Sequence, residues 1–232
     1  MPQIDRIAFF GDSYCADIEN SYIEELAKDY KILHLGECGA GLNDSVARLE
    51  KFLNNRVNHP ANSDNTFFVF CNSSAGRKQF NVLYKEKTGW ESHEEPLHSK
   101  WEGDGSKKSK RIKLAIELYY LHIQNDKEDI RNYKNALLAQ RYFIERLNIK
   151  SSIRFSCFPT EALWNDADFY WVNDDGKEEK WSNLYDFAYH FDDHTADPKG
   201  QLDNFIYPNH FSPKGQKAME QIIRTAINDY SN

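Results

Sequence analysis

Three short apolar runs, IAFF at 7–10, KILHL at 31–35 and TFFVFC at 66–71, each break off into a turn containing Gly or Asn. Runs of this length, rich in Ile, Val and Phe, read as buried strands. The segments between them have helical spacing instead. Residues 17–30 carry Ile18, Tyr22 and Leu26 one turn apart, with acidic residues early and Lys28 late, the order the helix dipole favours. SVARLEKFLNN at 45–55 aligns Val46, Leu49 and Leu53 on one face. Consecutive parallel strands need a crossover, usually helical, so this β-α-β-α-β order predicts a parallel sheet with helices on both faces.

Further along, residues 112–124 and 130–149 predict two helices, SIRFSCF at 152–158 a fourth strand, and SPKGQKAMEQIIRTAINDY a closing helix. Ser212 suits its N-cap and Pro213 its first position. Two stretches, about 74–110 and 160–205, break the pattern and are expected to be irregular insertions. They fall where an α/β sheet places loops beyond the carboxyl ends of its strands, the side on which ligands bind. The whole chain, 1–232, reads as a single α/β domain, a three-layer αβα sandwich with long loop insertions.

Charge narrows the function. A net charge of -7, with 40% hydrophobic and 28% charged residues, describes a mildly acidic globular chain and gives no reason to expect a nucleic-acid partner. The basic run at 107–113 reads as a solvated face. No apolar run nears the roughly 20 residues that span a bilayer, so no membrane insertion is expected. Cys15, Cys38, Cys71 and Cys157 are scattered, which fits neither a zinc site nor a disulfide framework. With no apolar leader, a cytoplasmic location is expected. FDDHTAD at 191–197 offers His194 among carboxylates, but a solvated acidic loop is the expected reading and no metal is assigned.

The chemistry is in the turns. Ser13, in FFGDSYC, follows the first strand and precedes a predicted helix, where backbone N–H groups favour developing negative charge. Gly39 lies in the Gly-rich turn after the second strand, where the missing side chain lets main chain approach a ligand. Asn72 follows the third strand directly. His210 stands just before the last helix. A nucleophilic hydroxyl, a base and amide donors are what acyl transfer requires. Each residue also has an ordinary role: Asp12 or Ser13 as a cap, Gly39 as a turn residue, Asn72 as a strand terminator. Cys15 and Cys38 have no base nearby in sequence and read as buried packing.

Taken in order, these motifs resemble the SGNH (GDSL-type) hydrolases. Gly11-Asp12-Ser13 is similar to the first block, GECGAGLNDSVARL to the second, FFVFCNSS to the third and NHFSPKGQKAM to the last, over residues 5–75 and about 203–230. The resemblance implies a flavodoxin-like parallel sheet and ester hydrolysis through an acyl-serine. It makes Ser13 the nucleophile and His210 the base. The oxyanion hole would comprise the N–H groups of Ser13 and Gly39 and the Asn72 amide, and no cofactor is implied. The third block lacks the family's Gly and Asp, and Tyr207 stands three residues before the histidine, where the family usually has its aspartate. Asp203 is the first candidate for that acid, with Asp197 and Asp193 behind it, and the family also tolerates a backbone carbonyl in its place. The implied substrate is a small-molecule or carbohydrate ester, such as an O-acetyl ester, with Trp164 and Trp171 as candidate sugar-stacking residues. A catalytically decayed binding or assembly module and an acyltransferase on the same scaffold are the alternatives.

Overall fold

In a strand, successive side chains alternate faces, and β1 (Arg6–Gly11) uses both. Ile7 and Phe9 pack with Tyr22, Ile23, Met219 and Ile223, while Ala8 and Phe10 pack with Leu49, Phe52 and Leu53. A strand covered on both sides must be apolar throughout, which is why IAFF is a continuous run. The same holds for β3 (Thr66–Asn72), every residue of which is buried. The computed structural model describes residues 3–37, 40–54, 65–75, 78–86, 89–97, 110, 113–114, 118, 126–146, 148–158, 168–173, 175–191 and 208–231.

With β2 (Lys31–His34) and β6 (Ser152–Ser156), these strands form a parallel sheet in the order β2-β1-β3-β6. Helices α1 (Tyr22–Leu26) and α5 (Pro213–Ser231) contribute to the core on one face. Helix α2 (Leu42–Asn54) covers the other, joined by Phe143 and Ile144 of α3 (Asp126–Arg146). The result is an α/β fold with a four-stranded parallel sheet flanked by helices, as the sequence order predicts. From β1 the chain crosses outward to β2, then back past β1 to β3, so the crossovers diverge between β1 and β3. Crevices at such a divergence are where doubly wound sheets hold ligands.

Three expectations need correction. The helix over 17–30 shrinks to α1, because Ser21 caps it by accepting from the Ile23 N–H at 3.2 Å, and Ile18 ends exposed rather than in the core. The stretch 74–110 is not irregular throughout: β4 (Lys78–Glu86) and β5 (Gly89–Leu97) form an antiparallel hairpin. The alternation Phe80, Val82, Tyr84 carried that signal amid polar neighbours. The stretch 160–205 likewise contains a second hairpin, β7 (Phe169–Val172) with β8 (Glu178–Trp181), followed by α4 (Leu184–His190). The predicted helix at 112–124, the basic run and the acidic loop with His194 lie largely or wholly outside the described residues. No helix among the described residues is long and apolar enough to cross a membrane.

Candidate functional site

β1 ends at Gly11, whose backbone is pressed against β3: a Cβ built there would lie 2.2 Å from the Cys71 carbonyl oxygen. The chain then turns within three residues. Asp12, fully buried, caps the single 3-10 turn Ser13–Cys15, its Oδ1 accepting from the Tyr14 N–H at 3.1 Å. Ser13 is thus held at the carboxyl edge of the sheet. It does not open a long helix, as the sequence suggests, because residues 16–21 intervene before α1. Local N–H groups of one turn replace the expected helix end.

His210 reaches the same place from the other end of the chain. Its Nε2 lies 2.7 Å from Ser13 Oγ, across 197 residues of sequence. For the imidazole to accept that hydroxyl proton, Nε2 must be the unprotonated nitrogen. The Tyr14 ring meets the imidazole in an edge contact with centroids 4.9 Å apart, and the Tyr14 carbonyl accepts from the Tyr22 hydroxyl at 2.9 Å. Both histidine and serine therefore sit on a tyrosine that the core fixes.

Asn72 ends β3 one residue past the Gly11–Cys71 pair, so its backbone shares the serine's sheet edge. Its side chain is buried in a reciprocal amide pair with Gln140 of α3: Asn72 Nδ2 donates to Gln140 Oε1 at 3.2 Å, and Gln140 Nε2 donates to Asn72 Oδ1 at 2.9 Å. A primary amide has two N–H donors, so the pair leaves Asn72 one more to give. Gln140 was invisible in the sequence, where it is one polar position of an amphipathic helix.

Gly39 and Cys38 lie outside the described residues, as do Trp164, Tyr207, Asp203, Asp197 and Asp193. The turn that carries Gly39 is anchored on both sides. Gly36 and Glu37 donate from their N–H groups to the carbonyls of Cys15 and Gly11 at 2.9 and 3.0 Å, and Glu37 pairs with Arg48 of α2. Ala40 N–H donates back to Glu37 at 3.0 Å. Gly36 is the close-approach glycine here, since a Cβ would come within 2.5 Å of Cys15 Sγ and 2.8 Å of the Asp12 carbonyl.

Three cysteines scattered in sequence converge beneath the serine. Cys15, Cys71 and Cys157 lie in one buried cluster, and Cys157 Sγ donates to Asp12 Oδ1 at 3.2 Å. All three are free and fully buried. Burial, then the neighbouring Cys71 thiol, pushes the Cys15 thiol well above its ordinary range, so it stays protonated. Among the described residues no cluster of His, Cys, Asp and Glu is arranged to hold a metal ion.

Trp171 is placed differently from a stacking platform. It is 9% exposed and packs edge-on against Phe187 and Phe191 in the core. Its outer side borders a groove of about 450 Å³ with Asp168, Tyr170, Glu178, Gln221 and Asp229. Gln221 lies two turns into α5, roughly 12 Å along the helix from the amino end that His210 precedes. Trp171→Ala is accordingly expected to cost about 3–5 kcal/mol of stability, measured by urea unfolding, as for large core truncations. An unchanged midpoint would return Trp171 to the list of ligand-contacting residues.

Compared with known proteins, the chain matches no family model and no curated protein.

Proposed function

We propose that this protein is a serine esterase of the SGNH type, with a flavodoxin-like sheet, acting on a small acyl ester such as an O-acetyl group on a carbohydrate. The observation that carries the reading is the 2.7 Å contact between His210 Nε2 and Ser13 Oγ. It joins two distant turns at the carboxyl edge of a parallel sheet, beside the divergence of its crossovers.

In the proposed cycle Ser13 Oγ attacks the ester carbonyl carbon while its proton passes to His210 Nε2. The resulting oxyanion is held by the Ser13 and Gly39 N–H groups and the remaining Asn72 N–H. The bond to the alcohol then breaks, and His210 returns the proton to the departing oxygen. Water, deprotonated by the same imidazole, attacks the acyl-serine and releases the acid, restoring Ser13. Asp203 remains the proposed acid behind His210. No step calls for a cofactor.

The test is reaction with a fluorophosphonate followed by intact mass. The native chain is expected to gain one adduct, and Ser13→Ala and His210→Ala to gain none. A native chain that stays unlabelled while a control esterase reacts would leave the fold as a binding module. Labelling with no hydrolysis, but with acyl groups passed to added alcohols, would identify a transferase instead.

A further inference from the structure

Asn209 and His210 both adopt left-handed backbone conformations, with φ of +52° and +62°. Asn visits this region readily because its short polar side chain can hydrogen-bond locally, whereas His does so less often. Two such residues in succession persist only where the surroundings over-determine them. Those surroundings are main chain. Asn209 Oδ1 accepts from the N–H groups of Ala16 at 3.1 Å and Asp17 at 2.8 Å, and its Nδ2 donates to the Asp17 carbonyl at 2.8 Å. The residue is 1% exposed.

Ala16 and Asp17 follow directly on the Ser13–Cys15 turn, so one side chain ties the segment bearing the nucleophile to the segment bearing the base. We propose that Asn209 is a positioning residue that sets the His210 imidazole in register with the Ser13 hydroxyl. This inference rests on the reading of Ser13 and His210 as nucleophile and base. Three features argue for it. Every bond of the clamp is to backbone, so it fixes the separation of the two turns whatever the side chains at 16 and 17. The residue after the clamp is the histidine itself, leaving no intervening residue to absorb error. The clamp also leaves both imidazole nitrogens out of its bonding, so it places the ring without competing for it. Misplacement of reacting groups by about 1 Å costs on the order of 10² in rate, which is the loss the clamp would prevent.

Two variants separate this role from simple stabilisation. Asn209→Gly keeps access to positive φ but removes all three bonds; Asn209→Asp keeps an acceptor for both N–H groups but replaces the donor to the Asp17 carbonyl with a carboxylate oxygen that faces it. With folding checked by circular dichroism, Asn209→Gly is expected to slow fluorophosphonate labelling about 100-fold, and Asn209→Asp to stay within about 10-fold of native. Equal labelling of native and Asn209→Gly overturns the proposal. Imidazole ¹⁵N spectra give a readout independent of reactivity. The His210 ring signals should shift on Ser13→Ala in the native background and not in the Asn209→Gly background. If the native chain takes no label, the esterase reading fails, and these spectra alone decide whether Asn209 holds the ring on the serine; an identical shift in both backgrounds refutes it.

Discussion

Gly11→Ala is expected to lower stability by about 3 kcal/mol or more, the upper end for overpacked sites, and the melting temperature by about 6–12 °C for a chain of this size. The cause is steric and lies in the backbone. The new methyl would stand 2.2 Å from the Cys71 carbonyl oxygen and 2.9 Å from its carbonyl carbon, on the strand that pairs with Gly11. No rotamer change relieves contact with a neighbouring strand, so β1 and β3 must part at the edge where Ser13 sits. Gly176→Ala is the control. Its φ of +75° imposes backbone strain, but nothing lies within 4 Å of the added methyl, so about 1–2 kcal/mol is expected. Thermal melts of both variants decide the matter, and a Gly11→Ala chain that melts with the native one would mean that the strand ends do not close as described.

That clash shows why a Gly-Asp-Ser turn is more legible in sequence than most of what surrounds it. Glycine at a strand end, followed by a capping residue, has few structural solutions, and the apolar runs on either side name the strands. β1 and β3 could be read because burial on both faces forces continuous apolar stretches, whereas the edge strands β2 and β6 are only half-buried along most of their length and were read from shorter apolar signals. The closing helix could be read from Ser212, which accepts from the Gly215 N–H at 3.3 Å as an N-cap should. The short α1 was harder. Ile18, Tyr22 and Leu26 keep helical spacing, yet the backbone of Asp17 is committed to Asn209, and a segment so engaged cannot join the helix.

The Ser13–His210 pair could be picked out because its residue types are chemically restricted and its turns have characteristic neighbours. Gln140, Asn209 and the Cys157–Asp12 contact were not, since each depends on which distant segments meet, and polar residues on helices and turns usually face water. Gln216 is a comparable case: it accepts from the Tyr22 N–H at 2.7 Å and donates to the Phe211 carbonyl at 3.0 Å, tying α1 to the turn after His210. Its sequence context, a polar position near a helix start, gave no hint of that.

On the proposed esterase reading, Gln140→Leu is expected to reduce ester turnover about 10²-fold with KM little changed, the loss typical of removing one oxyanion donor. Leucine fills a similar volume in α3 but offers Asn72 neither an acceptor nor a donor. Asn72 Oδ1, which loses the Gln140 donor, must turn to find another partner, and the amide then presents a different group to the serine's edge. Asn72→Ala should cost a similar 10²–10³, because it deletes the donor outright. The double variant separates orientation from bulk stability: if Gln140 acts through Asn72, Gln140→Leu adds almost nothing once Asn72 is alanine. Steady-state hydrolysis of a nitrophenyl acetate by the four proteins supplies the cycle. Multiplying losses would assign Gln140 a role apart from Asn72, and unchanged kcat in Gln140→Leu would remove the Asn72 amide from the oxyanion hole.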